Sequence, residues 1–177
     1  MTDPGPVRVD GTRVVVADAG PLIHLDELGC LGLLSDFGEI RIATAVWDEV
    51  ARHRQAALEH VDLALLRCAP EAHERVNALS VLFTLHAGER EALCLCLEFG
   101  NALLLTDDTA ARLAARSLAV EARGTLGLLV RAIRRRQLSK AAVLDLLRQI
   151  PERSTLHIRP GLLDDIVRQV AGLPEVQ

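Results

Sequence analysis

Two stretches decide the fold: VVVADAGP at residues 14–21 and ALLLTDD at residues 102–108. Each is a short, unbroken apolar run that stops on acid. Val14-Val15-Val16-Ala17 is rich in β-branched residues and shows no polar alternation, the pattern of a strand buried on both faces of a parallel sheet. Leu103-Leu104-Leu105 reads the same way and ends at Thr106-Asp107-Asp108. After the first strand, Gly20-Pro21 opens a helix over 22–28, with proline near the first turn. A short helix follows over 31–37 and ends at Gly38; residues 39–43 form a second strand. Thr44 is placed to cap the next helix, whose apolar face carries Trp47, Val50 and Ala51.

Residues 54–80 read as mostly helical, interrupted at Pro70. In the helix over 89–99 the run 92–97 is apolar all round, so this helix is central and buried, and Gly100 closes it. A helix carrying Ala110, Leu113 and Ala114, a strand over 119–122 and a helix from Gly124-Thr125-Leu126-Gly127 through Ile133 come next. A helix over 140–150 is ended by Pro151, and a last one covers 162–170. Strands alternating with helices imply an α/β fold, a central, mostly parallel sheet with helices on both faces.

At 177 residues the chain is one domain's length. We expect a flexible leader over 1–12, the domain proper over 13–150, and a C-terminal helical extension over 151–177 packed on it. Half the residues are apolar and a quarter charged, the balance of a globular protein. Aromatic residues are only Trp47 and Phe37, Phe83 and Phe99, so the core is aliphatic and a base-stacking platform is excluded. The net charge is −4, and Lys140 is the only lysine. With no glycine-rich loop ending in lysine, a P-loop ATPase is excluded. Cys30, Cys68, Cys94 and Cys96 lack a metal-knuckle spacing and read as buried small hydrophobes in a reducing compartment. No signal peptide or membrane-spanning run is evident, so a cytoplasmic protein is expected.

Ligand sites in open α/β sheets lie beyond the carboxyl ends of the strands. Here Asp18 ends one buried strand, and Asp107 and Asp108 follow another. Glu89 and Glu91 start the buried helix, and Glu49 lies on the helix after the second strand. Clustered carboxylates raise one another's pKa unless a cation shields them. Hard oxygen donors suit Mg²⁺ or Mn²⁺, with Asp18, Asp107 and Asp108 as ligands, and such a site fits two-metal phosphodiester hydrolysis. Each acid also has a plainer reading. Asp107 or Asp108 can cap the following helix, and Glu89 and Glu91 suit the macrodipole of a first turn. The pattern, not any single acid, carries the argument.

Five stretches together resemble the PIN-domain family: VVVADAGPLIHL (14–25), IATAVWDEV (42–50), HAGEREALCLCLEFG (86–100), ALLLTDDTAARLA (102–114) and GTLGLLVRA (124–132). They are most similar to the prokaryotic subgroup related to VapC-type toxins. The resemblance implies an α/β/α sandwich and a Mg²⁺- or Mn²⁺-dependent endoribonuclease, the toxin of a toxin–antitoxin pair. It also implies an RNA substrate, a small antitoxin partner and a homodimer. By motif position, Asp18, Glu49, Glu89 or Glu91, and Asp107 with Asp108 are the site acids. The chain departs from the pattern at Gly20, where family nucleases often carry a Ser or Thr that hydrogen-bonds near the metal. The alternative reading is a PIN-like scaffold that binds RNA or protein without catalysis.

Arg112 lies one turn after Asp108, on the same helical face. Arg131, Arg134, Arg135 and Arg136 cluster at a helix end. Arg112, Arg134 and Arg135 are candidates for binding substrate phosphate; an intrahelical ion pair and simple C-terminal charge complementarity are their plainer readings. The six histidines show no ligand spacing, and none is assigned.

Overall fold

The computed structural model describes residues 13–174, so the expected leader over 1–12 and the last three residues of the expected extension lie outside the described residues. Five strands form one all-parallel sheet: β1 (Val14–Ala17), β2 (Glu39–Ala43), β3 (Ala64–Cys68), β4 (Ala102–Leu105) and β5 (Glu121–Arg123). Their order is β3-β2-β1-β4-β5. β1 sits between β2 and β4, with Ala17 opposite Ile42 on one side and Leu105 on the other. The two apolar runs are therefore neighbours, and their buried residues form the middle of the core. The architecture is the PIN-like α/β/α sandwich that the resemblance implied.

Among the described residues eight helices connect and flank these strands: α1 (Ala19–Glu27), α2 (Thr44–Leu58), α3 (Glu74–Phe83), α4 (Ala87–Phe99), α5 (Thr109–Ser117), α6 (Thr125–Arg134), α7 (Lys140–Arg153) and α8 (Pro160–Ala171). A 3₁₀ turn covers Leu31–Phe37 and ends at Gly38 with φ +72°, a value glycine adopts without strain. α4 lies across β4, β1 and β2 with Ala92, Leu93, Cys94, Leu95 and Cys96 all buried. The four cysteines are free thiols, and burial pushes the Cys96 thiol up to about 12.

The structure differs from the sequence reading at several places, each for a local reason. Residues 64–68 are not helical but form β3, an edge strand paired with β2. Its Ala and Leu residues favour helix intrinsically, and hydrogen bonding to β2 overrides that preference. Thr44 does not cap α2; its hydroxyl donates to the Cys68 carbonyl at 3.1 Å, tying α2 to the end of β3. Pro151 does not end α7, which runs to Arg153; the proline removes one N–H from the ladder, yet the bonding resumes past it, with the Ser154 backbone donating to Ile150 at 3.0 Å. Trp47, the only tryptophan, is half-buried on α2 and packs against the core.

Residues beyond 150 share the hydrophobic core: Leu163 and Val170 are buried with the rest. The carboxylate of Glu27 on α1 fastens the segment after α7. It accepts from the Ser154 hydroxyl at 2.9 Å and from the Thr155 backbone at 2.7 Å. Truncating a buried leucine costs its transfer energy plus the cavity it leaves. Leu163→Ala should therefore lower global stability by about 2–3 kcal/mol in urea denaturation, within a single transition. Two separate transitions would show that α8 unfolds as its own unit.

Candidate active site

The strand order fixes where the site lies. The chain lays β2 and β3 on one side of β1, then returns to place β4 and β5 on the other. The sheet thus changes direction between β1 and β4, and beyond the carboxyl ends of two such strands a crevice opens. Here it is an open cleft of about 850 Å³. Asp18, Glu49, Glu89, Asp107 and Asp108 line it, brought from β1, α2, α4 and the loop after β4. His24, His86 and His157 line it too, as does Arg52, and the last histidine comes from the segment that Glu27 fastens.

Asp18 is the deepest of these acids, at 7 % exposure. Its Oδ1 accepts from the Ala19 backbone at 2.9 Å and so caps α1; its Oδ2 accepts from the Thr106 hydroxyl at 2.7 Å. Burial pushes its carboxyl up to about 6, against the lowering effect of those two bonds, and the charges of Glu89 and Glu49 push it further. Thr106 also accepts from the Asp108 backbone at 3.2 Å, so one buried hydroxyl joins the ends of β1 and β4. Glu89 is raised as well, chiefly by burial, although the His86 backbone donates to it at 2.7 Å. The charges of Asp108 and Glu49 also raise it. The Glu49 carboxylate makes no hydrogen bond or ion pair among the described residues, while its backbone carbonyl meets the His53 ring at 2.9 Å.

The remaining acids divide by their partners. Asp107 is held on three sides. Thr125 donates to it from its backbone at 2.7 Å and its hydroxyl at 2.6 Å, and the His24 ring lies 2.8 Å away. A carboxylate accepts only, so His24 Nδ1 carries the proton in that contact. Asp108, rather than Asp107, caps α5, accepting from Ala111 at 2.7 Å. Glu91 points out of the cleft: its carboxylate accepts from the Ala45 backbone at 2.7 Å and serves as the missing cap of α2. Of the two glutamates that sequence alone leaves open, Glu89 is the one in the cleft.

Two glycines are required by close approach. A Cβ on Gly124 would sit 2.6 Å from Asp107 Oδ1 and 3.2 Å from the Thr106 carbonyl. A Cβ on Gly88 would meet Val46 at 3.2 Å and Glu49 Oε2 at 3.4 Å, with Asp18 Oδ1 at 3.9 Å; the two carboxylates reach toward one bare point in the first turn of α4. Gly20 bears on the hydroxyl that sequence comparison finds missing there. A Cβ at that position would face Asp107 Oδ2 at 3.4 Å, and Thr125 already supplies that oxygen with a hydroxyl.

Sequence reasoning missed His24, Thr106 and Thr125. The threonines each sat beside a residue that drew attention, Asp107 and Gly124, and a hydroxyl's partner is invisible before the strands are paired. The arginine candidates disperse. Arg135 pairs with Asp36 at 2.9 Å, and Arg134 lines a separate groove between α6 and α8. Neither lines the acidic cleft. Arg112 forms no ion pair with Asp108 among the described residues; its Nη1 would lie 3.4 Å from a Cβ on Gly124, at the cleft's border.

A parallel sheet with carboxylates gathered at its topological switch point defines an α/β sandwich with an acidic site. The family described as a PIN domain matches residues 14–172, and the chain belongs to it. No curated protein and no solved structure matches the chain.

The site's chemistry suits a hard divalent cation. The cleft sets Asp18, Asp48, Glu49, Glu89, Asp107 and Asp108 against Arg52, an excess of carboxylates to which a hard cation is complementary. No three such side chains stand at ligand spacing among the described residues. Asp18 carries the cost meanwhile. Its folded pKa lies above the ordinary 3.8, so its proton is held up to about pH 6 in the fold and released near 4 when unfolded. Metal-free protein should therefore lose stability as pH rises from about 4 to 6, by about 3 kcal/mol. Asp18→Asn should be the more stable form above pH 6 in chelator, with the gap closing below pH 4, when melting is followed by circular dichroism. A pH-independent gap would mean that Asp18 is not held protonated.

Proposed function

We propose that the protein is a Mg²⁺- or Mn²⁺-dependent endoribonuclease, acting in the cytoplasm as the toxin of a toxin–antitoxin pair. The observation that carries this reading is the buried carboxylate of Asp18, set beside Glu49 and Glu89 in a cleft with one arginine. Such a pocket repels a phosphodiester unless cations fill it, and when filled it attracts one. Asp18, Glu49 and Glu89 would hold the metal, with Asp108 close enough to add its charge. Bound there, the ion would activate water and steady the leaving oxygen.

The chain's own groups do the positioning. Thr106 orients Asp18 through a bond that cannot relax, because both residues end paired strands. Thr125 and His24 saturate Asp107, which makes it a brace for the wall of the cleft more than a free ligand. Gly20, Gly88 and Gly124 keep the backbone bare where carboxylates converge. Arg52 stands on α2, one turn after Glu49, where a guanidinium reaches a phosphate oxygen entering the cleft.

Single-stranded and hairpin RNAs incubated with Mn²⁺ or Mg²⁺ test the reading. Wild type should cleave them and chelator should stop it. Altering a group that merely supports a metal ligand costs about 10–100-fold. Asp18→Asn, which alters a ligand, should lose at least that, while remaining folded. Equal cleavage by the variant, in preparations free of contaminating nuclease, would leave the binding scaffold as the surviving reading.

The toxin reading adds a small protein partner, which a neighbouring reading frame would encode, and a homodimer. Val81 and Leu82 on α3 support the dimer, being 84 % and 71 % exposed, a large apolar surface for one helix to leave in water. Sedimentation at about 50 μM, a range that detects modest interfaces, should show a dimer that Leu82→Glu converts to monomer. A wild-type monomer at that concentration would remove this part of the proposal.

A further inference from the structure

Beside the acidic cleft, α5 and β5 enclose a second groove of about 680 Å³. Thr109, Arg112, Leu113, Arg116, Val120 and Ala122 line it. Its one carboxylate, Glu121, is already neutralised by Arg13 at 2.6 Å and Arg123 at 2.9 Å. Some of the chain's arginines are held by acids and others are not. Arg54, Arg67, Arg131 and Arg135 all pair with carboxylates. Arg112 and Arg116 are exposed, and their guanidinium groups have no hydrogen bond or ion pair among the described residues. They stand one turn apart on α5, where like charges repel. Leu113, 47 % exposed, lies between them in the chain.

The groove continues the cleft. α5 begins directly after Asp108, and Arg112 Nη1 and Asp107 Oδ1 both face the point where a side chain on Gly124 would stand. A polyanion approaching a negatively charged cleft needs a cationic flank to hold it there. Side chains one helical turn apart lie about 5–6 Å from each other at Cβ, of the order of the phosphate step of an extended strand. β5 is only three residues long, too short an edge to recruit a peptide by strand addition.

Resting on the nuclease reading, we propose that this groove binds the sugar–phosphate backbone of the single-stranded RNA next to the cleavage point. Arg112 and Arg116 contact successive phosphates, and Leu113 lies against the sugars. The contacts are to backbone and fix the strand's direction out of the cleft without reading its sequence.

The test measures binding separately from cleavage. Fluorescence anisotropy with a labelled single-stranded RNA, in chelator, uses the full chain carrying Asp18→Asn. Each arginine that neutralises one phosphate of a single strand contributes about 0.7 to the slope of log affinity against log salt. Arg116→Gln should lower that slope by about 0.7 and weaken binding about fivefold at 0.1 M salt. Arg112→Gln should do the same, and Arg116→Lys should restore most of the loss. In cleaving protein, Arg116→Gln should raise KM with kcat unchanged. Arg148→Gln, on the exposed face of α7, is the control and should change nothing.

Unchanged affinity and slope in both glutamine variants would overturn the groove proposal. So would an absence of RNA binding, or a groove that takes an acidic peptide but not RNA. Cleavage by wild type would still stand in each of those cases. Failure of the nuclease reading would appear instead as RNA bound through the arginines but never cut.

Discussion

The hydrogen bond from Thr106 to Asp18 joins the ends of the two central strands, and much of the molecule is arranged around it. It crosses the switch point of the sheet, where β1 and β4 stop together. A buried carboxylate is costly in an apolar interior unless it is hydrogen-bonded or paired with a cation. Asp18 has two hydrogen bonds and no cation, and its carboxyl remains well above its ordinary range. The fold thus stores an unfavourable charge at one defined point.

Around that point the acids fall into two groups. Asp107, Asp108 and Glu91 spend their oxygens on backbone and hydroxyl donors that shape the cleft. Asp107 fixes the start of α6, Asp108 the start of α5, and Glu91 the start of α2. Glu49 and Glu89 keep more of their charge for the cleft itself. Glu91 and Glu89 are two residues apart on α4 and do opposite work. One braces the helix that carries Glu49, and the other faces Asp18 across the same opening. Mutating all the acids as equals would mix loss of architecture with loss of chemistry.

Most of this was legible in the chain. The two apolar runs announce buried parallel strands because nothing polar interrupts them. Their abrupt acidic ends announce the site, because a strand's end is a rigid place to put a charge. What stayed hidden depended on pairing. β3 looks helical from its alanine and leucine content until β2 gives it hydrogen-bond partners. Glu91 and Glu89 are indistinguishable until the N-terminus of α2 is seen to need an acceptor. His24 reads as one histidine among six because its partner lies 83 residues away. The arginines at the end of α6 looked like a phosphate patch by number alone, but Arg131 and Arg135 are both held by Asp36 and Arg134 faces α8.

Trp47 gives the cleft a built-in optical probe. It is the only tryptophan, the chain has no tyrosine, and it stands on α2 two residues before Glu49. Ultraviolet emission from this protein is therefore the signal of a single indole, uncontaminated by energy transfer from phenols. Any rearrangement that pulls Glu49 toward Asp18 must carry the first turns of α2 with it, and the half-buried ring will register the change in solvent contact. Solvent contact at the start of α2, beside the acidic cleft, can thus be followed in a stopped-flow fluorimeter on the native chain, with no dye attached.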